Sequence, residues 1–151
     1  MRKLLILLSI LMIFISCGKK KTEKFTNFGS QITATKFISP QELINQKDNL
    51  EWREIAVKGK ISSVCVHSGR RISLKVNDST EVNIFSIDDN KPFVFPKEKC
   101  LGKQAEVVGI FQIKDGFPER SANDETDEHE HNNKNGKVYL IKANGVNIYG
   151  L

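Results

Sequence analysis

The sequence lacks the short motifs through which many enzymes bind phosphate or activate a nucleophile. It has no glycine-rich phosphate loop, no Gly-x-Ser-x-Gly motif, no Cys-x-x-Cys pair and no pair of carboxylates fixed in a strand pattern. Each of these motifs places its reactive groups at a spacing that the chemistry requires. Their absence favours a binding or interaction protein over an enzyme.

A strong excess of charge is also lacking. The chain has 23 basic and 18 acidic side chains, a net charge of +5, and many of the acids fall in one segment, around residues 124–130. Proteins that bind nucleic acid usually carry a dense basic stripe. The charge balance therefore predicts no nucleic-acid partner.

Long hydrophobic runs are absent after the N-terminus. The run from Leu4 to Ser16 follows Met1-Arg2-Lys3 and is 13 residues long. It is too short for a permanent helix across roughly 30 Å of hydrocarbon, but it fits the core of a signal peptide. The run ends in Phe14-Ile15-Ser16-Cys17, which resembles the lipobox of bacterial lipoproteins, although leucine is usual where Phe14 stands. An ordinary secretory signal with a chance cysteine is the alternative.

The lipobox resemblance implies a signal peptide over residues 1–16 and acylation of Cys17. Acyl chains anchor a protein to the membrane without a spanning helix. Gly18 favours the outer membrane, with the body of the protein facing the periplasm. The polar residues of segment 17–38 predict a flexible tether, and residues 39–151 form one predicted domain.

The domain begins with a helix signal and continues with strands. Ser39-Pro40-Gln41-Glu42 combines an N-cap serine, a first-turn proline and a capping glutamate, which predicts a short helix over Pro40 to Gln46. A second helical turn is expected near Pro96 to Lys99. Apolar alternation and turn residues predict five strands, over Glu54 to Val66, Ile72 to Val76, Glu81 to Ile87, Ala105 to Lys114 and Lys137 to Tyr149, the last interrupted near Asn144.

A long first strand with a bend at Gly59, and a crossover between the third and fourth strands, predict an all-β fold of the OB type. This fold is a five-stranded, partly open Greek-key barrel, here preceded by the short helix. An open five-stranded sheet or a sandwich is the alternative.

Several segments resemble a family of uncharacterised bacterial OB-fold lipoproteins. The likeness runs from about Ser39 to Ile148 and includes Val57-x-Gly59-x-Ile61 and Gly102-Lys103. Its most specific part is Cys65-x-His67-Ser68-Gly69-Arg70-Arg71. In similar lipoproteins a second cysteine follows the loop glycine, where this chain has Arg70. The resemblance implies the fold and the periplasmic location, and it implies no activity.

Cys65 and His67 are the first candidate metal ligands. On an extended strand, residues two apart share a face with Cα atoms roughly 6.6 Å apart, from which two ligands can converge on one ion. His129 and His131 have the same spacing in an acidic segment between the fourth and fifth strands. A thiolate with imidazoles suits zinc or copper. The alternative is a cysteine that packs as a small apolar residue and a solvated histidine loop.

Cys100 leaves three alternatives open. It forms a disulfide with Cys65, serves as a third metal ligand, or is a free thiol. Arg70 and Arg71 form a weaker candidate site for an anion, with a solvated turn as the alternative.

Three functions follow from these patterns. The leading prediction is a non-enzymatic, membrane-anchored binding module for a metal or small ligand, centred on Cys65 and His67. The second is a structural lipoprotein that docks another envelope protein and has a Cys65–Cys100 bridge or inert thiols. The third is a thiol-redox protein in which His67 activates Cys65.

Overall fold

Strand pairing closes the predicted strands into a barrel. The computed structural model describes residues 24–116 and 136–151. Three short helices occur in these ranges: α1 (Pro40–Asn45), α2 (Lys47–Leu50) and α3 (Lys97–Cys100). The strands are β1 (Phe25–Gly29), β2 (Glu54–Val64), β3 (Ile72–Lys75), β4 (Glu81–Ser86), β5 (Gln104–Asp115) and β6 (Lys137–Tyr149).

The connectivity is that of an OB barrel. Strands β2, β3 and β4 form an antiparallel meander, and β4 then pairs in parallel with β6. Strand β5 pairs antiparallel with both β6 and β2, which closes the barrel. The predicted all-β, OB-like fold is confirmed, whereas the open sheet and the sandwich are not.

The long first barrel strand changes partner in its middle. Strand β2 pairs with β5 up to Lys60 and with β3 from Ile61 onward, with a register shift near Ser63. Gly59 lies at this change, and a Cβ atom there would be 2.7 Å from Pro40 Cγ. Glycine is therefore required because the start of α1 packs directly on the strand backbone.

Two strands share one edge of β6. Strand β4 covers the part from Tyr139 to Ala143, and β1 covers the part from Gly145 to Tyr149. The predicted flexible tether is therefore wrong for Phe25–Gly29, which forms a strand. Its five residues are largely exposed, so they show no buried alternation from which a strand is predicted.

The predicted interruption of the last strand is a bulge. Gly109 pairs with Ala143, and Val108 pairs with Gly145, so that Asn144 has no partner on β5. A bulge inserts one residue without ending the strand. The Asn144 carbonyl instead accepts a hydrogen bond of 2.9 Å from the Ser30 N–H, just beyond β1.

The helices pack on a core that fills the barrel. The predicted capping box of α1 is confirmed, because Ser39 Oγ accepts from the Glu42 N–H and Glu42 accepts from the Ser39 N–H. Leu43 on α1 is fully buried. None of the helices in the described ranges has the length and apolarity needed to cross a membrane. Other fully buried large side chains are Ile61, Ile72, Leu74, Ile84, Phe95, Phe111, Ile141 and Ile148.

Candidate functional site

The loop between β2 and β3 folds into a tight turn, which we call the Cys65 turn (residues 65–69). The Gly69 N–H donates to the Cys65 carbonyl at 3.0 Å, and the Cys65 N–H donates to the Arg71 carbonyl at 2.9 Å. Gly69 has φ +66°, a backbone conformation that residues with a Cβ rarely adopt. Gly69 thus closes the turn that follows the end of β2.

This turn changes the geometry expected for Cys65 and His67. Strand β2 ends at Val64, so neither residue lies on an extended strand. The bond from Gly69 to Cys65 spans four residues, as in one turn of an α-helix. The expectation of an extended strand through both residues is therefore wrong, and His67 is exposed.

Hydrogen-bond donors surround the sulfur of Cys65. The Ser68 hydroxyl donates to Cys65 Sγ at 3.3 Å, and the same oxygen accepts from the Arg70 N–H at 3.2 Å. The backbone N–H groups of His67 and Ser68 also donate to the sulfur. A side-chain acceptor at the start of a helical turn receives these amides in the way an N-cap residue does.

The balance of these effects favours the thiolate. Burial raises the pKa of the Cys65 thiol, whereas the bonds from Ser68 and His67 and the positive charge of Arg71 lower it. The lowering effects together exceed the effect of burial, so the pKa lies below its ordinary value. The thiolate is the form of cysteine that binds metals and attacks electrophiles.

Segment 95–97, which leads into α3, holds the turn in place. The Phe95 N–H donates to the Gly69 carbonyl at 2.9 Å. Lys97 Nζ donates to the His67 carbonyl at 2.9 Å and also to the Val66 carbonyl. Sequence patterns did not identify Lys97 as part of the site, because about 30 residues separate it from the turn.

Cys100 belongs to the core. It is fully buried at the end of α3, and burial raises the pKa of its thiol. Cys65 and Cys100 are both free thiols, so the predicted bridge is not formed. Among the described residues, Cys100 belongs to no group of three or more His, Cys, Asp or Glu side chains that could hold an ion.

The described residues do not complete a metal site by themselves. Within residues 24–116 and 136–151, no group of three or more His, Cys, Asp or Glu side chains is placed to hold an ion. His129 and His131 lie outside these ranges. Asp115 and Lys137 flank that segment and pair with each other at the end of the barrel where β4 begins. The Cys65 turn lies at the opposite end, beyond the last residue of β4.

The two arginines differ in their surroundings. Arg70 is exposed, and Arg71 is half-buried with its charge close enough to act on Cys65. The structure therefore connects Arg71 to the thiol, while Arg70 contributes its backbone N–H to Ser68.

An open cleft of about 350 Å³ lies beside the turn. Val66 and Leu101 are 60% and 61% exposed at this cleft. A ligand bound there would contact apolar carbon and lysine close to Cys65. The lining residues are Ser62, Ser63, Val64, Val66, Lys97, Glu98 and Leu101.

A second group of polar side chains joins β2, β3 and β4. Ser63 Oγ donates to Ser73 Oγ at 2.9 Å, and Ser73 Oγ donates to Asn83 Oδ1 at 3.1 Å. Ser73 and Asn83 are buried, and burial of polar groups requires such bonds. These side chains satisfy one another, so the Cys65 turn is the stronger candidate site.

Comparison of the chain with protein-family models, with curated proteins and with solved structures gives no match. The resemblance to OB-fold lipoproteins therefore stays a prediction, which depends on the Cys-x-His-Ser-Gly-Arg-Arg loop.

Proposed function

We propose that the protein is a lipid-anchored periplasmic binding module whose ligand site is the Cys65 turn. The ligand is a soft or borderline metal ion such as zinc or copper, or a small molecule that carries one. Cys65 is the anchoring ligand, and His67 in the same turn is the second candidate ligand. The protein has no catalytic role in this proposal.

The donors around Cys65 Sγ are the observation that supports this function. A cysteine binds metal as the thiolate, and the Ser68 hydroxyl, two backbone N–H groups and Arg71 all favour that form. The sulfur is also part of a surface turn next to an open cleft. Cys100, in contrast, is fully buried and its thiol pKa is raised.

The N-terminal pattern supports the location. A positive start, an apolar run of 13 residues and Ser16-Cys17-Gly18 are the features by which lipoprotein signals are known. A module anchored in the outer membrane by Cys17 would meet zinc and copper that enter the periplasm.

Metal content tests the binding function. The mature chain, the double variant Cys65→Ala/His67→Ala and the control Cys100→Ala are purified under reducing conditions, exposed to zinc or Cu(I), desalted and analysed for metal. The proposal expects about one metal ion per chain in the parent and in Cys100→Ala, and little in the double variant.

Two results would contradict the metal site. Equal, negligible metal in all three proteins would exclude it, and equal metal in all three would place the binding elsewhere. Circular dichroism of each variant checks that the barrel is folded, since Cys100→Ala removes a core side chain.

A second candidate function is a reactive thiol. The lowered pKa of Cys65 favours it, because thiolate character controls nucleophilicity. This function predicts rapid alkylation of Cys65 at neutral pH in a chain that binds no metal. Slow alkylation together with metal binding would support the first function instead.

A further inference from the structure

Lysines and aromatic rings form a continuous surface where β1, β6, β5 and β2 lie side by side. Phe25 and Tyr149 are paired across β1 and β6, with ring centroids 5.8 Å apart. Lys58 Nζ lies 4.9 Å from the centroid of the Tyr149 ring. We call this surface the basic–aromatic face; its residues are Phe25, Lys58, Lys60, Lys103 and Tyr149.

Strand alternation turns these side chains outward. Val57 and Ile61 point into the core, so Lys58 and Lys60 on the same strand are exposed. A Cβ atom at Gly102 would lie 3.8 Å from Lys60 Cε, and one at Gly150 would lie 3.4 Å from Lys103 Nζ. The side chains of Lys60 and Lys103 therefore extend along the two glycines at the edge of the face.

The face carries net positive charge and an accessible ring. Glu106 is only 8% exposed and pairs with Lys58 at 3.0 Å. Lys60 and Lys103 add charge that Glu106 does not balance. Phe25 packs against Tyr149, but its side chain is still 50% exposed. Exposed rings beside lysines are typical of surfaces that meet lipid headgroups.

The proposed anchor lies close to this face in the sequence. Lys24 is seven residues after Cys17, and an extended chain spans at most about 3.5 Å per residue, so the two are within about 25 Å. Lys19, Lys20 and Lys21 lie between them. Acyl chains on Cys17 would thus hold β1 near the bilayer surface.

We propose that the basic–aromatic face lies on anionic phospholipid headgroups and fixes the orientation of the barrel on the membrane. This inference rests on the lipid anchor of the proposed function. The lysines supply charge complementarity to phosphate groups, and Phe25 enters the interfacial region. Because β1 belongs to the barrel, only the residues before it would connect the barrel to the anchor.

The single tryptophan of the chain provides a probe away from this face. Trp52 precedes β2, and its backbone N–H donates to the Phe111 carbonyl at 2.8 Å. Phe111 is six residues along β5 from Ala105, which pairs with Ile148 beside Tyr149. Six strand residues span roughly 20 Å. Trp52 therefore reports a position remote from the face.

Quenching by brominated lipids tests the orientation. The full lipidated chain and its Phe25→Trp/Trp52→Phe variant are incorporated into vesicles of brominated phosphatidylglycerol or brominated phosphatidylcholine. We expect fluorescence at position 25 to fall about twofold or more in the anionic vesicles relative to the zwitterionic ones. Fluorescence of Trp52 in the parent chain should differ little between the two.

Charge-reversal variants distinguish the effect of the basic–aromatic face on quenching from the effect of the tether. In the Phe25→Trp/Trp52→Phe background, Lys60→Glu/Lys103→Glu should abolish the extra quenching, although the tether is unchanged. The control Lys75→Glu/Lys114→Glu makes the same change of charge elsewhere, because Lys75 ends β3 and Lys114 pairs with Val138 at the far end of β5. This control should quench as the parent variant does.

Flotation of the vesicles distinguishes the two proposals. A chain that floats with both vesicle types but shows equal quenching in them overturns the face and leaves the anchor intact. A chain that floats only with anionic vesicles supports the face and contradicts the anchor. A chain that floats with neither overturns both, and unchanged quenching in Lys60→Glu/Lys103→Glu overturns the face alone.

Discussion

Ser68 Oγ donates a hydrogen bond to Cys65 Sγ across 3.3 Å, within a turn of the chain. The hydroxyl is oriented by the Arg70 N–H, which donates to the same oxygen at 3.2 Å. This arrangement leaves the hydroxyl hydrogen directed at the sulfur. A serine three residues after a cysteine thus becomes the side-chain group that most directly favours the thiolate.

Replacing Ser68 with alanine should make Cys65 less reactive. The variant loses the donor to Cys65 Sγ, so the thiol pKa rises toward its ordinary value. A higher pKa leaves a smaller thiolate fraction near neutrality, so the alkylation rate falls. Alkylation by iodoacetamide, followed by mass spectrometry of the Cys65 peptide, measures the rate from pH 6 to 9. A Ser68→Thr variant, which retains a hydroxyl, is the control, and an unchanged profile in Ser68→Ala would contradict the role of this bond.

The two described thiols should affect stability in opposite directions as pH changes. The pKa of Cys65 is below the ordinary value of 9.0, so its contribution is present above pH 9 and is lost as pH falls through the lowered pKa. The pKa of Cys100 is above 9.0, so its contribution is present below pH 9 and is lost as pH rises through the raised pKa.

Urea unfolding of the native chain and its variants measures these contributions under reducing conditions. The stability difference between the native chain and Cys65→Ser should grow as pH rises toward 9. The difference for Cys100→Ala should shrink above pH 9. A pH-independent difference for Cys65→Ser would show that its thiol ionises alike in the folded and unfolded chains.

Gly69→Ala should destabilise the protein more than Gly102→Ala. Both glycines have positive φ, +66° and +77°, so both substitutions force alanine into a strained conformation at a cost of about 1 kcal/mol. At Gly69 the new methyl would also lie 2.9 Å from the Phe95 carbonyl oxygen, whereas at Gly102 the nearest atom is Lys60 Cε at 3.8 Å.

We therefore expect the free energy of unfolding to fall by about 3 kcal/mol for Gly69→Ala. Chemical denaturation of both variants gives the comparison. Equal losses would mean that segment 95–97 moves away from the turn without cost. A faster or slower alkylation of Cys65 in Gly69→Ala would further show that the turn shapes the thiol.

Asn27→Ala should loosen β1 without unfolding the barrel. Asn27 Nδ2 donates to Asn147 Oδ1 at 2.8 Å, and Asn147 is only 5% exposed. Loss of the donor leaves a buried acceptor without this bond, at a cost of about 1–2 kcal/mol. Hydrogen exchange of the β1 amides should accelerate several-fold, while the exposed neighbour Thr26→Ala leaves it nearly unchanged. Equal exchange in the two variants would exclude this side-chain bond as a clamp on β1.

Local signals predicted most of the barrel. The capping box at Ser39 and the period-two pattern of β2 are determined by nearby residues, and both agree with the structure. Strand β1 differs, because its backbone bonds go to β6 about 120 residues away and its side chains are largely exposed. No local pattern predicts such a strand, because it forms only by pairing with the edge of β6.

The site was predicted in part. The residue type singles out Cys65, but the spacing predicts an extended strand through His67, whereas the chain forms a turn closed by Gly69. The Ser68-Gly69 dipeptide is typical of turns, so the sequence alone could have predicted this turn. Lys97 had no such signal, because its contact with the turn arises only from the crossover that contains α3.

The pairing of β1 with the end of β6 bears on the order in which the barrel forms. Residues 25–29 are synthesised early, but their partner is residues 145–149, about 120 residues later. Contacts between such distant segments form late, because a long loop must close first. Strand β1 therefore stays unpaired until β6 has been synthesised, and its docking is one of the last steps in completing the barrel.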